Sequence, residues 1–158
     1  MDISTRMEFA GSPEQVFAML IDPQFLEEVC RASGASAYEV SVEGLASRTS
    51  RTLPAPEAAA KFTGSELTVV EDVGWTDALP DGSRSGVVTM TVAGQPVNFA
   101  GEMRLAAGGP GTVADLAGEL KVAVPLFGKK IEQAAAPAVL AGFRTQQQVG
   151  NTWLARTG

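Results

Sequence analysis

The strongest limit on how this chain can fold is a change in hydrophobic period. From about Ala35 to Val124 apolar and polar residues alternate with a period of two, and from about Leu126 to Ala155 the period becomes 3.6. Alternation places successive side chains on opposite faces of a strand, whereas a 3.6 period gathers them on one stripe of a helix. In the first stretch Tyr38, Val40 and Val42 alternate with acidic and small residues, and Gly44 offers a turn into a polar strand ending near Leu53. Leu67, Val69, Glu71, Val73 and Trp75 share one parity, and Pro80-Asp81-Gly82-Ser83 reads as a turn. Val88, Met90 and Val92 follow, then a Gly94-Gln95-Pro96 link, and then Val97, Phe99, Gly101, Met103 and Leu105. Gly108-Gly109-Pro110-Gly111 leads into a last long strand through Val124. Short strands separated by turns of this kind predict an antiparallel meander.

Before the meander, Ile3, Thr5, Met7 and Phe9 share one face of an opening strand. Ser12-Pro13-Glu14-Gln15 is a capping-box pattern with proline at the first helical position, and Asp22-Pro23 caps a second short helix. Pro54-Ala55-Pro56 breaks the chain ahead of a helical turn at Glu57 to Phe62. In the C-terminal helix Phe127, Ile131, Ala135, Ala138, Gly142, Val149 and Trp153 project within one arc, with Gln133, Arg144, Gln148 and Asn151 opposite. Pro137 predicts a kink there. The expected architecture is a single α+β domain over residues 1–158. It has a curved antiparallel sheet of about seven strands, two short helices after the first strand, and a long C-terminal helix.

Composition removes whole classes of function. The chain has 18 acidic and 12 basic residues, a net charge of −6 and no histidine. An acidic chain lacks the basic footprint of a nucleic-acid binder and has no electrostatic reason to visit anionic lipid. Without histidine there is no Ser-His-Asp or Cys-His catalysis and no histidine-ligated metal. The lone cysteine, Cys30, forms no internal disulfide and reads as an inert buried thiol. The longest low-polarity stretch, Ala134 to Gly142, contains Pro137 and falls far short of the ~20 residues of a membrane span. The expectation is a cytoplasmic protein without stable membrane insertion, monomeric or homodimeric, needing no metal or organic cofactor.

The candidate site residues are few. Phe25, Phe62, Trp75, Met90, Phe99, Met103 and Phe143 are read as inward, serving as core or as a pliable lining. On the long helix Ile131, Ala135, Ala138 and Gly142 mix large and small side chains, which gives either close packing or open volume. Gln146 lies in the same arc, as a border residue or a polar anchor. Glu71 is the one carboxylate with inward parity, unless a bulge near Asp72 turns it out. Once buried it needs a raised pKa or a basic partner, and so it is the acid/base candidate. Thr49 and Arg51 lie on a strand of unclear parity. Arg51 reads as a partner for Glu71, an anchor for a ligand carboxylate, or part of a solvated edge. Tyr38, the only phenol, is a core residue with its hydroxyl at a rim, or an acid. Gly108–Gly111 precedes a strand and is no phosphate cradle, and the acidic residues near 71–81 match no calcium loop.

The order of elements resembles the START-like superfamily (SRPBCC, the helix-grip fold). The resemblance is carried by Val16 to Pro23, Asp22-Pro23-x-Phe25, Phe62-x-Gly64 leading to Val69-Val70 and Trp75, and Val149-Gly150-x-x-Trp153-Leu154. Within it the chain looks most like an uncharacterised actinobacterial family. The resemblance covers essentially the whole chain, through framework motifs. It implies a sheet wrapped around the long helix and an elongated cavity for an apolar or amphipathic small molecule, such as a lipid, polyketide or isoprenoid-like compound. Binding, transport or sensing of such a ligand is the leading expectation. A cyclase- or hydratase-type enzyme using an inward carboxylate, or a partner-binding module with a collapsed cavity, are the alternatives. The residues point more to binding than to catalysis.

Overall fold

The computed structural model describes residues 1–157. The chain runs β1 (Asp2–Phe9), α1 (Pro13–Leu20), α2 (Pro23–Ala32), β2 (Ala37–Glu43), β3 (Ala46–Pro54) and α3 (Glu57–Thr63). It continues through β4 (Glu66–Trp75), β5 (Arg84–Val92), β6 (Val97–Gly108), β7 (Gly111–Val122) and α4 (Gly128–Thr157). The strands form one antiparallel seven-stranded sheet in the order β1-β7-β6-β5-β4-β3-β2. This is the α+β helix-grip architecture, with the period-two region forming the meander and the 3.6-period region the helix.

Local chemistry sets the element boundaries. Ser12 Oγ accepts the Gln15 N–H at 3.2 Å while Gln15 Oε1 accepts the Ser12 N–H at 2.9 Å, closing the capping box on α1. Asp22 Oδ1 accepts the Gln24 N–H at 2.9 Å to start α2. Gly44, at φ +57°, turns β2 into β3. The antiparallel order places the β2–β3, β4–β5 and β6–β7 turns at one end of the sheet. At the other end lie the β5–β6 turn, α3, the end of β7 and the start of α4.

Helix α4 is fastened to the sheet near both ends. At its start a Cβ on Gly128 would overlap the Val122 carbonyl oxygen, so only glycine fits there. One turn on, buried Glu132 accepts the Val122 N–H at 3.0 Å and the Met1 ammonium at 3.2 Å. Toward its end Gly150 lies against Phe9 and Met19. Gln147 Oε1 accepts the Glu8 N–H at 2.9 Å, and Asn151 bonds both the Ala10 N–H (2.8 Å) and the Glu8 carbonyl (2.9 Å). Since β1 is an edge strand, these amides satisfy backbone groups that would otherwise lie open to another chain. Asn151, expected on the outward side, is therefore a structural contact.

The buried seam of α4 is Ile131, Glu132, Ala136, Phe143, Gly150 and Leu154. The arc expected from the sequence, through Ala135, Ala138, Gly142, Val149 and Trp153, is largely the flank one residue N-terminal to it. Helical side chains lean toward the preceding turn, which accounts for an offset of this size. The helix is continuous through Pro137.

Two outcomes follow. Gly150→Ala forces a methyl to within 2.6 Å of the Phe9 ring and is expected to cost about 1–3 kcal/mol by overpacking. Gly142→Ala meets only Arg51 Nη2, at 3.9 Å, and should instead stabilise by about 0.5–1 kcal/mol. Thermal unfolding of the two variants checks the opposite signs. The backbone N–H of Val122, with help from the terminal ammonium, holds the Glu132 carboxyl below its ordinary value of 4.5. A depressed folded-state value gives stability that is fully present above 4.5 and is lost as pH falls through the folded value. Glu132→Gln should therefore flatten the acid limb of the stability–pH curve, measured by urea unfolding across about pH 3 to 7.

Candidate functional site

Between its two attachments α4 stands off the sheet, and a cavity of about 350 Å³ fills the gap. That volume lies within the ~300–1,000 Å³ range of small-molecule sites. Its floor is the inner face of β3 to β7: Leu53, Leu67, Val69, Met90, Val92, Val97, Phe99 and Leu120. Its roof is the small-residue flank of α4 (Ala135, Ala138, Ala141 and Gly142, with Val139 and Phe143), and Leu26 and Val29 of α2 close one side. Gly101 and Gly118 face each other in the β6–β7 register. A Cβ at Gly118 would come within 2.6 Å of the Phe99 ring, so this glycine pair lets Phe99 lie flat against the sheet.

One wall of the cavity is polar. Thr49 pairs with Glu71 in the β3–β4 register, and Arg51 with Val69, so Thr49, Arg51 and Glu71 share the inner face. No bulge interrupts β4 at Asp72. Because β2 is the edge, β3 is an interior strand, and Arg51 does not belong to a solvated margin. The Arg51 and Glu71 side chains are only 12% and 14% exposed, with Nη2 and Oε2 4.0 Å apart, an ionic contact too long for a hydrogen bond. Arg51 Nε and Thr49 Oγ1 are buried without a hydrogen-bond partner among the described residues. Across the cavity Arg51 Nη2 approaches Gly142, and Thr145, Gln146 and Ser33 complete the polar lining. Cys30 is fully buried beside this cluster. Burial pushes its thiol up from the ordinary value of 9.0, against the pull of the Arg51 charge, so it is a poor nucleophile.

Ten of the sixteen residues singled out in the sequence line this cavity: Met90, Phe99, Ala135, Ala138, Gly142, Phe143, Gln146, Thr49, Arg51 and Glu71. Six lie elsewhere. Phe25 is core, edge-on to Trp153 at 5.8 Å. Trp75 packs edge-on to Phe17 at 5.8 Å and over Gly86, at the far end of β4. Met103 and Ile131 are buried core. Tyr38 sits on the edge strand, its hydroxyl accepting from Arg31 Nη1 at 2.9 Å. Phe62, read as inward, is 43% exposed on α3 and lies against Phe127. Leu26, Val29, Ser33 and Val139 were not singled out. The signal for them was present in the helical spacing of α2 and in the one-residue offset on α4.

A family model described as "Protein of unknown function (DUF2505)" matches residues 4–154. The chain belongs to that family. No curated protein matches it. Among solved structures it is similar to protein TTHA0849 from Thermus thermophilus, with TM-score 0.66, 16% identity and all of both chains covered. It is also similar to protein Ms6760 from Mycobacterium smegmatis, with TM-score 0.64, 16% identity, and 99% of this chain and 92% of that one covered. A third is StfQ, a di-domain ARO/CYC from the steffimycin biosynthetic pathway, with TM-score 0.65 and 13% identity. That match covers 96% of this chain and 50% of StfQ. At these identities the likeness is one of fold.

An unpartnered hydroxyl in a buried wall lowers the stability of the empty protein. Thr49→Val, which keeps the shape and removes the polar atom, should stabilise the unliganded protein by about 1–2 kcal/mol in urea denaturation.

Proposed function

We propose that this chain is a START-like binding protein that holds one amphipathic small molecule in the cavity between α4 and the sheet. The observation that carries this reading is a combination. An apolar cavity of ligand size has on its wall a buried arginine Nε and a buried threonine Oγ1 that lack hydrogen-bond partners among the described residues. A core that existed only for stability would fill the volume or replace those atoms with carbon, because each unsatisfied buried group costs about 1–3 kcal/mol. A bound molecule with an apolar body and one polar end meets both needs. Burial of the body supplies affinity at ~25 cal/mol per Å², and the Thr49–Arg51–Glu71 wall with Gln146 orients the polar end. Carriage or sensing of a lipid, polyketide or isoprenoid-like compound, in the cytoplasm, fits this chemistry. The fold shared with an ARO/CYC supports a ligand-enclosing use of the architecture.

A cyclase- or hydratase-type reaction is the second reading, favoured by the position of Glu71 on the cavity wall next to a cation. Glu71→Gln separates the two: a binder retains its ligand, whereas an enzyme loses turnover of the molecule recovered from the cavity.

The test is native mass spectrometry of the purified protein, followed by organic extraction, with 8-anilinonaphthalene-1-sulfonate as an amphipathic probe. A one-to-one adduct or saturable probe fluorescence is expected. Gly142→Leu fills open space beside Arg51 and should weaken probe binding roughly tenfold or more while the protein stays folded. An empty protein that also ignores the probe overturns the proposal.

A further inference from the structure

The net charge of −6 conceals a local reversal. The chain has four lysines, Lys61, Lys121, Lys129 and Lys130, and the topology brings all of them to the end of the sheet that carries α3 and the start of α4. Lys121 lies near the end of β7, Lys129 and Lys130 are in the first turn of α4, and Lys61 is on α3. Among them lies an exposed apolar group. Leu126 is 99% exposed, Phe127 49% and Phe62 43%, with the two aromatic rings 6.1 Å apart and Lys61 Nζ 5.5 Å from the Phe62 ring.

This arrangement is locally unfavourable in three ways. Leu126 is the one non-glycine residue at positive φ (+68°) among the described residues, a conformation that bulky side chains rarely take. That backbone holds a leucine wholly in water. The first turn of α4 carries two lysines and no acid, opposite to what the helix dipole favours. Strain, exposure and charge that converge on one loop mark a surface kept for a partner. The nearby carboxylates are largely engaged or set apart. Glu132 is turned inward onto the Val122 amide, Glu66 accepts from Ser36, and Glu57, one turn before Lys61 on α3, makes no ion pair with it. Asp2 and Glu119 lie on the outer face of the β1–β7 pair, with Lys121. The other strongly exposed loop leucine, Leu79, sits instead between Asp77 and Asp81 at the far end of the sheet.

We propose that this end of the molecule docks reversibly on an anionic lipid bilayer. Leu126, Phe127 and Phe62 enter the headgroup layer, and Lys61, Lys129 and Lys130 meet the negative lipid charge. Exposed apolar residues ringed by lysine are what such a surface recognises. No helix among the described residues is long and apolar enough to cross a membrane, so the contact is peripheral. The proposal stands independently of what occupies the cavity.

The experiment is vesicle flotation with phosphatidylcholine alone and with added phosphatidylglycerol, at low salt and at about 1 M salt, where the screening length falls to about 3 Å. Binding is expected only to the anionic vesicles at low salt. Lys129→Gln/Lys130→Gln should weaken partitioning roughly 30-fold. Leu126→Ser should abolish it with thermal unfolding otherwise intact, since the side chain contacts little in the folded protein. Gly142→Leu should float like the parent, which separates this proposal from the cavity reading. Equal binding to both vesicle types, or binding indifferent to the lysines, overturns the proposal. So does absence of flotation together with a dimer in sedimentation that Leu126→Ser dissolves, which would assign the patch to a second copy of the chain.

Discussion

Everything in this structure depends on how α4 is held: tightly at its two ends and loosely between them. At one end Gly128 and Glu132 bring the helix onto the Val122 backbone. At the other, Gly150 admits Phe9 and Met19, and Gln147 and Asn151 bond the free edge of β1. Both attachments need glycine for close approach and a long polar side chain for backbone hydrogen bonds. Between them the flank of the helix that faces the cavity is mostly alanine and Gly142, whose side chains are too short to meet the sheet. A cavity is the geometric result. Longer side chains in that interval would convert the same fold into an ordinary packed core.

The polar wall follows from strand register. Because side chains alternate strictly, a single pairing decides whether Thr49, Arg51 and Glu71 face inward together or outward together. The interior position of β3 and the unbroken β4 settle this: all three face the cavity. A guanidinium carries five donors, and the charged partner of Arg51 stands at 4.0 Å. The wall thus has donors in excess, along with an acceptor in Glu71. That combination suits a neutral or weakly acidic oxygen group on a ligand better than a cation, which would face the guanidinium.

Much of this was legible in the sequence because it is periodic. Period two identified the meander, period 3.6 the helix, and the Ser12 and Asp22 caps the short helices. Inward parity also brought Met90, Phe99 and Glu71 together on one wall. Position along an element was not legible. Trp75 and Met103 are inward, as their parity requires, and Phe25 is inward on α2, as its helical spacing requires, yet all three lie beyond the cavity. Parity says which face a residue joins but not how far along the sheet the helix stands off. Phe62 failed for another reason. It sits on a short helical break between strands, where no sheet parity applies, and its aromatic partner Phe127 is distant in sequence. Asn151 looked solvated because polar side chains that cap a sheet edge have the same helical phase as those that reach water.

Net charge is silent on local placement for a similar reason, since it averages over positions that the fold separates. The topology gathers the four lysines at the end where α3 approaches α4, and the segment leading into α3 also closes that end of the cavity through Pro54 and Pro56. Pro54 and Ala138, exposed members of the lining, mark a rim on this side. A molecule with an apolar body leaves a protein cavity for water at a cost that grows with its buried area. A bilayer removes that cost if the rim faces the membrane when the protein docks. In the proposed binding role, an opening on this side, with the loosely held middle of α4 beyond its first attachment, would let one geometry serve both retention and release. Neither feature requires the other; on the two proposals made above, their placement at the same end would suit transfer between membrane and cavity.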